Sequence, residues 1–112
     1  MSNKMFAAMG AVAMQIGEKE TIELFQFALP IVIERQHALE QHLRAKEWAE
    51  FKQFAHKSIG SVRIYGSERL EVLLRQAHDI DNDGVDLLAY QQELSKEFEA
   101  VIDGIREWLA AH

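Results

Sequence analysis

Between residues 20 and 44 the apolar side chains Ile22, Phe25, Leu29, Val32, Leu39 and Leu43 recur at steps of three and four, with Gln36 the one polar interruption of the stripe. That period belongs to an α-helix and excludes a strand, whose faces alternate every second residue. A stripe this long cannot be buried by its own segment, so other helices must cover it. Two more segments carry the same alternation. Trp48, Phe51, Ala55, Ser58, Val62 and Tyr65 share one face over residues 46–65, and Leu87, Leu94, Phe98, Val101, Ile105 and Trp108 share another near the end of the chain. Pro30 falls inside the first of these helices, where it removes one backbone hydrogen bond; the pattern continues in phase across it, which predicts a kink rather than an end.

The punctuation divides the rest. A short amphipathic helix over residues 4–16, with Phe6, Met9, Val12, Ala13 and Ile16 at helical spacing, stops at Gly17. Gly66 ends the third helix; Ser67 is placed to cap a fourth through Leu70, Leu73, Leu74 and Ala77, with Glu68 in its first turn. Residues 79–84 form a polar turn, and Asp86 is placed to cap the last helix. Nothing reads as a strand. The expected fold is all-α: an antiparallel four-helix bundle with an additional short N-terminal helix, as a single domain over residues 1–112.

Eighteen acidic against twelve basic residues, a net charge of −6 and no block of Lys and Arg argue against a nucleic-acid partner. Without cysteine there are no disulfides and no thiolate chemistry, which suits a cytoplasmic protein. The opening residues, up to the small Ala11-Val12-Ala13 step, superficially copy a secretory leader, but their helical spacing and alanine richness favour a packed helix. No run approaches the roughly 20 apolar residues needed to span a bilayer, so no membrane association is expected.

Three patterns are candidates for chemistry. Asp79-x-Asp81-x-Asp83-Gly84 copies the first half of a calcium loop, but its last ligand position is Tyr90 rather than glutamate, so a solvated turn is the simpler reading. Glu34-x-x-His37 has the spacing of di-metal bundle sites, yet no second copy exists. No metal is expected. His42, His78 and His112 have no ligand-like surroundings and read as surface residues.

His56 is different. It lies off the apolar seam, on a second face with Lys52, Gly60 and Arg63. Gly60 sits one turn after it inside a helix, where glycine costs about 1 kcal/mol relative to alanine, so something other than helix stability favours it. An ordinary imidazole titrates near about 6.5 and is mostly neutral at pH 7, able to act as a nucleophile toward an activated phosphoryl group. Cations on the same face would offset the charge of the phosphorylated ring.

The run Ala55-His56-x-x-x-Gly60-Ser61-x-Arg63-x-x-Gly66, followed by Leu70 and Leu73, resembles the signature of histidine-containing phosphotransfer (HPt) domains, as does Leu24-Phe25 followed by Pro30 upstream. The resemblance covers nearly the whole chain. It implies a phosphorelay intermediate in which His56 accepts a phosphoryl group from the aspartate of a response-regulator receiver domain and passes it to another. The partners it implies are receiver domains and a hybrid histidine kinase; magnesium belongs to the receiver, and this chain, a monomer, needs no cofactor and has no kinase activity of its own. Gly60 would be the access residue. Where the family has Leu-Lys before that glycine, this chain has Ser58 and Ile59. Lys52, Gln53, Lys57 or Arg63 is then expected to support the phosphoryl group, with Ile59 extending an apolar docking surface. The alternative is an HPt-like binding module that docks on a receiver or other helical partner without taking phosphate.

Overall fold

The computed structural model describes residues 3–112; Met1 and Ser2, the start of the leader-like segment, lie outside them. Every regular element among the described residues is helical: α1 (Asn3–Ile16), α2 (Glu18–Arg44), α3 (Trp48–Ile64), α4 (Glu68–Gln76) and α5 (Leu87–Ala111), with a single 3-10 turn at Ala77–Asp79 between the last two. α2 packs against α3 and α5, α4 packs against the same two, and α1 contacts α2, α5 and α3. The molecule measures 46 × 23 × 20 Å.

The three sequence stripes meet in the core. Phe25 from α2 sets its ring edge-on to Trp108 of α5, centroids 5.1 Å apart, and tilted against Tyr65, just beyond α3, at 5.9 Å. Phe25, Leu39, Phe51, Leu70, Leu94, Phe98, Ile105 and Trp108 are essentially inaccessible to solvent, each contributing on the order of 1.5–3 kcal/mol by burial. Gln36 is buried as well, and its amide remains hydrogen-bonded, donating to Glu40 at 3.0 Å one turn on. The helix runs through Pro30, which faces solvent on the outer side of α2.

Two expectations are corrected. α1 packs through Met5 and Met9, with Val12 and Ala13 partly buried, whereas Phe6 is 58% and Ile16 46% exposed. A short alanine-rich helix carries apolar residues on two adjacent stripes, and the contact with α2 and α5 selects the one in phase with Met5. α3 begins at Trp48 rather than at residue 46, because Lys46 takes a left-handed conformation (φ 56°). There the backbone N–H groups of Lys46 and Glu47 donate to the carbonyls of Leu43 and His42, closing the end of α2 in a Schellman arrangement usually built on glycine.

The expected caps are in place. Ser67 Oγ accepts from the Leu70 N–H at 3.4 Å and Asp86 Oδ1 from the Ala89 N–H at 3.0 Å. Between α3 and α4, Gly66 meets two demands: a positive φ of 71°, and an approach of α1 so close that an added Cβ would lie 2.9 Å from the Lys4 carbonyl oxygen and 2.8 Å from the Ala8 Cβ. Gly60 meets neither, since it is helical and an added Cβ would find no atom within 4 Å. Chemical denaturation is therefore expected to show Gly66→Ala losing about 1–3 kcal/mol and Gly60→Ala gaining about 0.5–1 kcal/mol.

Candidate functional site

His56 stands on the solvent side of α3 because the opposite side of the same helix is committed to the core. Phe51, Ala55, Ser58, Val62 and Tyr65 are buried as the stripe requires, and His56, about 100° from Ala55, is exposed. Gly60, one turn later, is also exposed, so the surface beside the imidazole is bare backbone.

The imidazole borders a shallow hollow of about 200 Å³ between α3 and α4. Lys52 and Ile59 line it from α3, Leu74 and Arg75 from α4, and Ala77 and His78 from the 3-10 turn. Its floor is apolar and its rim carries cations and a second imidazole. Two other hollows have different chemistry. One of about 30 Å³ lies beneath Ser58 and is walled largely by Val32, Val62, Phe98 and Val101. Another of about 620 Å³, near the start of α4, is rimmed by Glu68, Glu97 and Asp103 with Lys4 and Arg69, and holds no imidazole.

The residues expected to support a phosphoryl group are not equally placed. Lys52 is held by Asp81 of the turn before α5, Nζ to Oδ1 2.8 Å. Arg63 is held by Glu71 of α4, Nε to Oε1 2.7 Å, and the other oxygen of that carboxylate meets Nε of Arg75 at 3.5 Å. Lys57 lies 5.7 Å over the ring of Phe54, which also has the guanidinium of Arg35 at 5.8 Å, so it belongs to the α2 side of α3 rather than to the hollow. Gln53 is exposed. Ile59 is half buried against the core and lines the hollow, as an apolar neighbour of His56.

Ser58 stands where the resemblance expects leucine, and its hydroxyl is satisfied locally. It donates to the Phe54 carbonyl at 2.8 Å and accepts from Arg35 Nη1 at 3.5 Å. Ser58 borders the small cavity of about 30 Å³ walled by Val32, Val62, Phe98 and Val101.

No family model, curated protein or solved structure matches this chain. Arg75 is not among the sequence candidates, and the sequence offers Asp81 only as a calcium ligand and His78 only as a surface residue; the packing of α4 and the 3-10 turn on α3 brings Arg75 and His78 to the hollow, and Asp81 reaches it through Lys52. The helical phase of α4 would have put Arg75 beside the buried Leu74, at an edge of the helix rather than its outermost face.

The remaining sequence patterns resolve into structural roles. Tyr90 is buried and its hydroxyl donates to the Leu73 carbonyl at 2.5 Å, with burial pushing the phenol well above its ordinary range. Asp79 accepts from the Asn82 side chain at 3.4 Å. Glu34 and His37 are exposed, and no group of three or more potential metal ligands occurs among the described residues. Of the histidines read as surface residues, His78 and His112 are exposed, His112 with its ring stacked on Trp108 at 3.9 Å, whereas His42 is half buried, stacked on Phe54 at 5.3 Å and bonded to Glu47 at 3.0 Å.

The hydrogen bond from Lys52, first among the causes, holds the Asp81 carboxyl below the ordinary aspartate range. A depressed folded value means that the contact favours the folded turn at neutral pH and is lost only as pH falls through that lowered value. A carboxyl carbon titration by NMR should place the Asp81 midpoint below that of a free aspartate, and Lys52→Ala should move it upward.

Proposed function

We propose that this chain is a histidine phosphotransfer protein of a phosphorelay, built as an antiparallel four-helix bundle of α2–α5 with α1 as an accessory helix. The observation that carries the reading is an imidazole on the outer face of α3 with bare helix backbone one turn away. Such a surface lets another protein bring an acyl phosphate in line with the ring without meeting a side chain at position 60. A lone pair on an imidazole nitrogen of His56 attacks phosphorus, the bond from phosphorus to the aspartyl oxygen breaks, and the receiver leaves with a free carboxylate. The ring proton on the other nitrogen is then free to exchange with solvent. Return of the phosphoryl group to a second receiver reverses these bond changes.

This division of labour assigns the receiver its magnesium and the activation of the phosphoryl group, and assigns this chain a nucleophile and a docking face. A hybrid histidine kinase would supply the first receiver, and the protein would act as a cytoplasmic monomer, with its core satisfied by its own helices. Ile59 favours one competing reading, a module that docks on a receiver without taking phosphate, because it puts an apolar contact where a lysine is expected.

Incubation with a phosphorylated receiver separates the two. Acid-labile, base-stable label should appear on the wild-type chain, fall to background in His56→Ala and persist in His78→Ala. If His56→Ala instead leaves regulation of the receiver intact while Ile59→Asp abolishes it, the docking-only reading replaces phosphotransfer.

A further inference from the structure

Taking the phosphotransfer reading as given, His56 lacks the lysine expected at position 59, and the cations of its own helix are already engaged. Lys52 is bonded to Asp81 at 2.8 Å, Arg63 to Glu71 at 2.7 Å, and Lys57 lies over Phe54 on the far side of α3. A phosphorylated imidazole carries close to two negative charges, and a site that leaves them unmatched disfavours acceptance. The hollow beside His56 contains one more strong cation.

Arg75 enters that hollow from α4. Among the described residues its one ion pair is a 3.5 Å contact through Nε to Glu71, whose carboxylate is shared with the closer Arg63. Among the described residues no hydrogen bond or ion pair engages its two Nη groups. Glu71 thus holds the guanidinium by one edge and leaves the other edge available, the geometry in which arginine binds two oxygens of a phosphate at once. Its side chain is 52% exposed and lines the same hollow as the imidazole.

We infer that Arg75 binds the phosphoryl oxygens on His56, acting across the α3 to α4 groove in place of a lysine along α3. The charged groups around that position are Lys52 on α3, Glu71 on α4, His78 on the 3-10 turn and Asp81 on the following loop. His78 adds a further donor when protonated, while Asp81 and Glu71 oppose the anion and set Lys52 and Arg63 apart from it.

The test needs no receiver. Phosphoramidate phosphorylates an accessible imidazole directly: a ring nitrogen forms a bond to phosphorus, the bond from phosphorus to the amine breaks, and the departing amine leaves as ammonia carrying the proton. Phosphorus NMR of the product then follows the pH midpoint of the phosphoryl group, which a nearby cation lowers. Arg75→Ala should raise that midpoint by about 0.5 pH unit or more, Arg75→Lys should restore much of the difference, and Arg63→Ala should leave it near the wild-type value. Circular dichroism is expected to be unchanged, since Arg75 is at the surface. If phosphate enters His56 but the midpoint ignores Arg75, or follows Arg63 equally, the inference is overturned while the phosphotransfer reading stands. If no phosphate enters His56 at all, both fall.

Discussion

The burial of one stripe of α3 against its neighbouring helices is the constraint on which the site depends. Phe51, Ala55, Ser58, Val62 and Tyr65 are each within a few per cent of full burial, and Phe51 and Val62 contribute on the order of 1.5–3 kcal/mol apiece. A helix fixed that firmly on one side has no rotational freedom on the other. At about 100° per residue, residue 56 must face outward and residue 60 must follow one turn behind. The His56 imidazole is therefore turned outward by the burial of the opposite stripe of its own helix.

The same packing decides which charges it meets. α4 is short, but its contact with α3 is extensive, and it brings Arg75, with Glu71 bonded to it, and the adjoining His78 to the edge of the imidazole's surroundings. Glu71 bridges Arg63 and Arg75, and both guanidinium groups hold its carboxyl below the ordinary range, Arg63 most strongly. Lys52 is likewise drawn to Asp81. These contacts are exposed to solvent and screened by salt, so they set the orientation of side chains more than the stability of the fold. The result is a hollow with an apolar floor and cations already ordered by carboxylates around its rim.

Glycine serves two opposite purposes on either side of this face. At position 66 it is demanded by the backbone: φ is positive and α1 is too near for a methyl group. At position 60 the backbone demands nothing, and the space above it is empty. At position 60 glycine weakens its helix without satisfying any contact that an added side chain would disturb.

Much of this was legible in the residues alone. Periodicity located every long helix, because burial of a stripe leaves a repeating mark whatever lies opposite; Gly17, Gly66, Ser67 and Asp86 marked the breaks, because cap chemistry is local. The exposure of His56 followed from the same phase argument. What spacing could not supply was anything set by one helix against another. The choice of Met5 over Phe6 as the buried face of α1, the capture of Lys52 by Asp81, the turning of Lys57 toward Phe54 and the arrival of Arg75 beside His56 all depend on which helix packs where. A single helix phases its own side chains through its hydrogen-bonded geometry; the partners of a charged group are chosen by distance in space, and that exists only once the helices have packed.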